Sequence, residues 1–391
     1  MYPQNKKTLY TIGVSIILTL ILLLTSPRFQ FYIQYFNGKT YDLLNQMDIK
    51  FHPAPPSFNK VVLIGIDNPT VMHMPYRWPY PRTVFAKIVD NLKNAGAKII
   101  AFDFVFIGKS EKEDEDIQLK KSLENAGAIL ATSIDEEGNI GLYSNGIFQS
   151  GITSGIVTKI TDADGIARKK FAYLINFQDP NKAYLSWGMQ ILKKDRDIDL
   201  STFDSQTDFI AFKSRSGEYW KIPVEPKTKD FLIRFRAHTF DFPRISLYKI
   251  YTGDFNPLDV KNKIALIGFI STVFADLHNT PIGWLPGITL NANGFLTISN
   301  HDFIKSVPWY IDILIILIGV IIAAYLASLL HVKRALIYIG FFGMAAFYFS
   351  SYLLFTHNYI WNYSLFPVAI LVCPSLAKKI VDFSENLWFN K

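Results

Sequence analysis

The chain has 391 residues, 50% of them apolar, and a formal net charge of +7. Its mean hydropathy of +0.17 is high for a soluble domain and indicates membrane-spanning segments. The basic residues form no cluster interleaved with aromatic side chains, so nucleic acid is excluded as an expected partner. The single cysteine, Cys373, excludes an intrachain disulfide and a metal site built from cysteine and histidine.

The first predicted element is an uncharged apolar stretch, Thr8 to Thr25, preceded by Lys6 and Lys7. No pattern of small residues suited to signal-peptide cleavage follows it, so the stretch is predicted to be a retained membrane anchor. Three more transmembrane helices are predicted near the other end of the chain, at residues 307–330, 335–355 and 363–377. Asp312 lies close to the start of the first of these, where an interfacial carboxylate is favoured over a functional acid inside the membrane.

Basic residues flank these stretches in a pattern that predicts their orientation. The flanking pairs are Lys6–Lys7, Lys333–Arg334 and Lys378–Lys379. The positive-inside rule places all three pairs in the cytoplasm, whereas the connection 356–362, which has no Lys or Arg, is expected outside. Four spans then leave the N-terminus (residues 1–7) and the tail (378–391) in the cytoplasm. Residues 28–306 are predicted to lie outside the cell (inner) membrane of a bacterium.

Within residues 28–306, continuous apolar runs alternate with segments of helical spacing. The runs are 61–67, 98–104 and 128–132, and the helical segments are 81–95 and 114–125. Uninterrupted apolar runs are typical of strands buried on both faces, so the alternation predicts an α/β domain with a mainly parallel sheet and flanking helices. Farther along, the sequence predicts strands at 171–177, 231–235 and 264–268 and helices at 183–193 and 288–299.

Two carboxylates, Asp67 and Asp103, stand at the ends of predicted strands. They are expected at the carboxyl edge of the sheet, where open α/β folds bind ligands. Arg77 and Arg82 lie between the first strand and the first helix. Two interpretations of these arginines stand, an anion site at the helix N-terminus or ion pairs with Asp67 and Asp103, and ion pairing is favoured.

The segment from Asp162 to Arg168 begins like a calcium loop, with aspartates at alternate positions before Gly165. Six residues after that glycine stands Phe171, where an EF-hand needs an acidic residue. The sequence therefore predicts an acidic turn, with the glycine at positive φ and without a metal.

Ser271, Asp276 and His278 supply the residue types of a hydrolytic site. They lie within eight positions of one another, however, and no nucleophile elbow marks the serine. The sequence therefore predicts no catalytic residue, and it indicates no cofactor.

These segments together resemble the CHASE2 family of extracytoplasmic sensor domains. The motifs that carry the resemblance are, in the family's order, residues 61–67, 77–82, 97–106, 162–168 and 262–268, Asp276 with Thr280–Pro281, and Pro286–Gly287. An N-terminal anchor followed by three C-terminal spans is also the family's usual layout. The family often has a histidine in the segment 290–293, where this sequence has Asn291.

The resemblance implies a receptor, itself not an enzyme, that is embedded in the lipid bilayer and senses an unknown small ligand. Its candidate ligand-binding or domain-structural residues are Asp67, Arg77, Arg82, Asp103, Asp276 and Thr280. Family members commonly continue into a cyclase or kinase domain, whereas the 14 residues of the tail are too few to fold alone. A cytoplasmic or membrane signalling partner, a second copy in a homodimer, or a missing domain is therefore expected to provide the output.

Three alternatives to a stand-alone receptor remain at this stage. The chain is the sensory part of a transmembrane adenylate cyclase or kinase, a binding or enzymatic component of an envelope complex, or a membrane scaffold without a ligand. An ordered catalytic cluster would favour the enzyme, and a site filled by side chains would favour the scaffold.

Overall fold

A computed structural model describes residues 4–134, 151–175, 183–270, 276–330, 334, 337–361 and 365–389. The chain divides into two compact units. Residues 45–303 form one, called the α/β unit below, and residues 1–44 with 304–391 form the other, called the helical unit.

The described helices are α1 (Gln4–Thr25), α2 (Gln30–Phe51), α3 (Asn68–His73), α4 (Arg82–Asn94), α5 (Glu113–Ala126), α6 (Trp187–Asp195), α7 (Leu247–Thr252), α8 (Gly287–Ser299), α9 (Trp309–Leu329), α10 (Ile339–Thr356) and α11 (Leu365–Phe389). The described strands are β1 (Val61–Ile66), β2 (Ile99–Phe102), β3 (Ile129–Thr132), β4 (Thr153–Ile156), β5 (Lys169–Phe171), β6 (Tyr173–Ile175), β7 (Ala183–Leu185), β8 (Ile198–Ser205), β9 (Phe209–Ser214), β10 (Tyr219–Pro223), β11 (Asp230–Leu232), β12 (Arg244–Ser246), β13 (Ile264–Phe269), β14 (Leu277–Thr280), β15 (Gly283–Pro286), β16 (Lys305–Ser306) and β17 (Tyr359–Ile360).

The core of the α/β unit is a six-stranded sheet in the order β12-β1-β13-β2-β3-β4. Every neighbouring pair of strands in it is parallel. β1, β2 and β3 are buried along their whole length, as their uninterrupted apolar sequences require. The predicted α/β fold with a parallel sheet is therefore confirmed.

Helices cover both faces of this sheet, because successive side chains of a strand point to opposite sides. Along β1, Leu63 packs into one apolar layer and Ile64 into the other. The layer of Ile64 contains α4, α5 and α7. The layer of Leu63 contains α6 and α8, together with residues of the antiparallel sheet β10-β9-β8. The flanking helices that the sequence predicted are thus in place.

The predicted helix over 183–193 is only partly right. Residues 183–185 form β7, which pairs with β6, and the helix begins at Trp187 after the N-cap Ser186. The side chain of Ser186 accepts a hydrogen bond from the Met189 N–H at 3.3 Å. A serine cap and a pairing strand therefore override the helical periodicity of the first three residues. The strand predicted over 171–177 is interrupted at residue 172, and residues 176–177 lie outside the described part of the chain.

Three helices of the helical unit, α1, α9 and α10, are long and apolar enough to cross a membrane. By length and composition they match three of the four predicted spans. Asp312 lies in the first turn of α9, as an interfacial carboxylate would. The fourth span falls on the start of α11, whose described apolar part, from Leu365 to Ala377, ends at Lys378 and is short for a bilayer. The fourth span stays a prediction.

Polar contacts join α1, α9 and α11 at one end of the helical unit. Lys7 Nζ lies 2.6 Å from Asp382 Oδ1 and 3.1 Å from Glu385 Oε2. Lys378 Nζ donates a hydrogen bond to the Ala327 carbonyl at 2.6 Å. Basic residues from two of the flanking pairs therefore meet at the same end of the unit.

Candidate functional site

Asp67, at the carboxyl end of β1, caps helix α3. Its Oδ1 accepts hydrogen bonds from the Thr70 N–H at 2.9 Å and the Thr70 hydroxyl at 2.7 Å. The Ser246 hydroxyl of β12 donates to the same oxygen at 2.8 Å. All of these partners belong to the chain itself, so Asp67 has a structural role at this edge of the sheet.

Replacing Asp67 with alanine is expected to lower the free energy of unfolding by about 1 kcal/mol, because the cap of α3 is lost. Urea unfolding of the full-length chain in detergent would measure this. Arg77→Ala is the control, since Arg77 is exposed and makes no hydrogen bond or ion pair among the described residues. Similar losses in both variants would contradict the capping role.

Arg82 forms an ion pair, but with a carboxylate that the sequence analysis did not choose. Its Nε lies 3.4 Å from Oδ1 of Asp116, a buried residue of α5. The guanidinium also lies over the ring of Phe106, 4.7 Å from its centroid, and donates to the Ile107 carbonyl at 3.0 Å. The predicted pairing of this arginine is right in kind, and the predicted partners, Asp67 and Asp103, are wrong.

Asp103, which follows β2, is buried against α8. Asn291 of α8 donates a hydrogen bond through Nδ2 to Asp103 Oδ1 at 2.5 Å. Gly268 of β13 makes room for this approach, because a β-carbon there would lie 3.0 Å from Ile288 and 3.2 Å from Asp103 Cβ. Asn291 is therefore the residue of the segment 290–293 that bonds to Asp103.

Lys170 of β5 is the buried cation of this site. Its Nζ donates to the Val157 carbonyl at 3.0 Å. Burial raises the pKa of Asp103 to about 8, although the nearby charge of Lys170 opposes the rise. Burial also lowers the pKa of Lys170 to about 8, although the charges of Asp103 and Asp276 oppose the fall. The two groups influence each other and titrate as a pair.

Asp276 lies at the N-terminus of α8. Its backbone carbonyl accepts a hydrogen bond from the Gly287 N–H at 3.0 Å. A β-carbon at Gly287 would lie 2.4 Å from Asp276 Oδ2, so the carboxylate can approach the helix only because residue 287 is glycine. The positive end of the helix dipole stabilises a carboxylate in this place.

His278 lies beside Asp276, whose own side chain is 37% exposed. Its Nε2 lies 3.1 Å from Asp276 Oδ1, and its Nδ1 lies 2.8 Å from Nζ of the exposed Lys159. Because an ammonium group only donates, Nδ1 is the acceptor, and Nε2 carries the proton that is donated to Asp276. This hydrogen bond is the main reason that the pKa of Asp276 is lowered, an effect that burial opposes. The charge of Asp276 in turn acts on the buried pair of Asp103 and Lys170.

Little space remains beside two residues of this site, Lys170 and Asn291. A cavity of about 20 Å³ is lined by Lys170, Asn291 and Gly294, among other residues. Such a volume holds about one water molecule. A larger open cavity, of about 450 Å³, lies elsewhere on the α/β unit and is lined in part by Tyr76, Lys87 and Tyr251. It has the size of a metabolite site, although the predicted site residues do not line it.

Two predicted features turn out to be structural. Thr280 is buried at the turn between β14 and β15, where its hydroxyl donates to the Gly283 carbonyl at 2.6 Å. In the acidic turn, Arg168 binds both Asp162 and Asp164, with closest N–O distances of 2.7 Å to each. Arg168 thereby holds the acidic turn together by ion pairs, and the described residues contain no group of three or more His, Cys, Asp or Glu suited to a metal.

A second buried ionic network lies in the α/β unit. Arg234 and Arg236 follow β11. Nη2 of Arg234 lies 3.0 Å from Oδ2 of Asp48 in α2, and Nη1 of Arg236 lies 2.9 Å from the same oxygen. His52 Nδ1 lies 3.1 Å from the other oxygen of Asp48. Asn293 of α8 accepts a hydrogen bond from the Arg236 N–H at 3.0 Å. The end of α2 is thereby tied to the segment that packs on α8.

Lys170 and Arg234 were missed by the sequence analysis, although each leaves a signal. Both are basic residues in or beside apolar runs, and a buried base in such a place needs a carboxylate or other acceptor. The sequence alone did not identify those partners. Ser271, the serine of the hydrolase alternative, lies outside the described residues.

Comparison with known proteins gives one match. A model of the CHASE2 domain family matches residues 15–326, a stretch that begins within α1 and ends within α9. CHASE2 is a family of sensory domains. No curated protein and no solved structure matches the chain.

Proposed function

The chain belongs to the CHASE2 domain family, and from that premise we propose that it is a bacterial membrane receptor with an extracytoplasmic sensor domain. The observation that carries the proposal is the extent of the match, which covers the whole α/β unit between the apolar helices α1 and α9. The proposal gives the chain no catalytic step. A signalling partner in the membrane or cytoplasm, or a second copy of the chain, provides the output.

The input is proposed to act on the cluster of the buried residues Asp103, Lys170 and Asn291 with the half-exposed Asp276, which we call the sheet-edge cluster. Placing a carboxylate and an amine out of water is costly, and strongly perturbed pKa values concentrate at functional sites. Asn291 belongs to α8, and only residues 300–308 separate α8 from α9. An input that favours one arrangement of the cluster over another therefore has a short path along the chain to a membrane helix.

A membrane scaffold without a ligand is the second candidate function. It is favoured by the cavity of about 20 Å³ beside Lys170 and Asn291, because that volume is too small for a metabolite. A scaffold does not explain a buried, titrating Asp103–Lys170 pair, since apolar residues of similar size would hold a core at least as well. The two functions differ in whether the cluster responds to an added molecule.

A thermal-shift screen of the full-length chain in lipid nanodiscs against envelope metabolites would separate them. A receptor acting through the sheet-edge cluster gives a shift that Asn291→Ala abolishes and that Tyr251→Ala, in the larger cavity, leaves intact. The opposite dependence would move the site to the larger cavity. No shift with any metabolite would favour the scaffold.

The proposed orientation predicts where cysteine labels react. In a Cys373→Ala background, cysteines would replace two exposed lysines, Lys109 in the α/β unit and Lys379 in α11. We expect a membrane-impermeant maleimide to label position 109 on intact cells, and position 379 only after permeabilisation, because basic flanks stay in the cytoplasm. Labelling of position 379 on intact cells would reverse the orientation and exclude an extracytoplasmic sensor.

A further inference from the structure

The first half of α2 has an exposed aromatic surface. Tyr32 and Phe36 are 62% and 56% exposed, and Tyr35 between them is exposed as well. Their spacing of three and four residues places them along one side of the helix. From residue 29 to residue 38 the sequence contains no charged residue. A soluble protein rarely exposes such a group of neighbouring rings to water.

The second half of the same helix is different. Three of its residues, spaced three and four positions apart, are buried: Tyr41, Leu44 and Asp48. Its exposed apolar residues, Leu43 and Phe51, stand apart from each other, so the group of neighbouring exposed rings lies in the part of α2 next to α1. The short turn Ser26–Phe29 separates that part from α1.

The character of the exposed residues changes in order along the chain. On α1 they are mainly aliphatic, as at Leu9, Ile17 and Leu24, and on the first half of α2 they are aromatic. This is the order met on leaving a bilayer, because aliphatic side chains suit the hydrocarbon core and tyrosine suits the interface, where its hydroxyl stays hydrated. A protein partner would not require this change to fall at the end of a span.

We propose that residues 32–36 of α2 lie in the lipid–water interface of the bilayer that α1 crosses. The partner of the aromatic surface is thus lipid, at the depth of the headgroups and the first acyl carbons. The inference rests on the proposed membrane location of α1 but not on any ligand. It makes the lipid surface a direct contact of α2, the helix that also carries Asp48.

Spin labels at three positions of the full-length chain test this proposal. Single cysteines in a Cys373→Ala background would replace Ile17 in α1, Tyr35 in the aromatic surface, and Lys50 near the exposed end of α2. The chain would be reconstituted in vesicles of phosphatidylethanolamine and phosphatidylglycerol. The measured quantity is the ratio of collision rates with oxygen, which concentrates in lipid, and with a water-soluble nickel chelate.

The expected ratio is highest at position 17, intermediate at position 35 and lowest at position 50. A ratio at position 35 equal to that at position 50 would overturn the proposal, because the rings would then face water. Protection from both reagents, with dipolar broadening between labels, would overturn it in favour of a second copy of the chain. A low ratio at position 17 would show that α1 is not a span, and would refute the membrane location itself.

Discussion

Replacing Asp48 with asparagine is expected to lower the free energy of unfolding of the α/β unit by about 3–5 kcal/mol. Asp48 is 1% exposed and faces two guanidinium groups, those of Arg234 and Arg236. Asparagine keeps the shape of the side chain but removes its charge. Arg234, which is also 1% exposed, then stays buried without its anion. Urea unfolding of the full-length chain in detergent, followed by circular dichroism, would measure the loss.

Asp197→Asn is the matched control for this change. Asp197 forms an ion pair with Arg215 at 3.4 Å, but both side chains are about 70% exposed, as the values of 69% and 72% show. Removing its charge is expected to change stability by less than about 1 kcal/mol, because water screens the pair. Comparable losses in the two variants would mean that the Asp48 network has no special importance for the fold.

The parallel sheet could be predicted because the residue types of its strands indicate that the strands are buried. β1, β2 and β13 are uninterrupted apolar runs, and only a strand buried on both faces requires such a run. The sheet of β8, β9 and β10 was not predicted. Most residues of β8 are exposed or half-buried polar side chains, so the sequence there does not differ from that of a loop.

The sequence predicted where on the fold the site lies, but not which contacts its residues make. Asp67 and Asp103 do stand at the carboxyl edge, yet one caps α3 and the other faces Asn291. The two aspartates have different roles because they have different neighbours, which are Ser246 beside Asp67 and α8 beside Asp103. Arg82 shows the same limit, since a charge in a sequence indicates that a partner is needed but not which of several carboxylates lies within reach.

The stability of the α/β unit is expected to fall as the pH rises from about 5 to about 8 and to recover above that. Asp103 binds its proton more tightly in the folded chain, because burial raises its pKa from 3.8 to about 8. The folded state therefore loses relative stability across that interval. Lys170 acts in the opposite sense, because its pKa falls from 10.5 to about 8 on folding, so stability returns as the unfolded amine loses its proton.

The variant Asp103→Asn isolates the falling part of this profile. One proton contributes a slope of at most about 1.4 kcal/mol per pH unit, and asparagine removes that proton. The melting temperature of the variant should not decline between pH 5 and pH 8, whereas that of the unaltered chain declines. Lys170→Met should extend the decline to higher pH, because the cation that limits the pKa of Asp103 is gone. Parallel profiles for all three proteins would mean that the sheet-edge cluster does not titrate in this range. The proposed input would then have to act elsewhere in the α/β unit, with the cavity beside Tyr251 the next place to test.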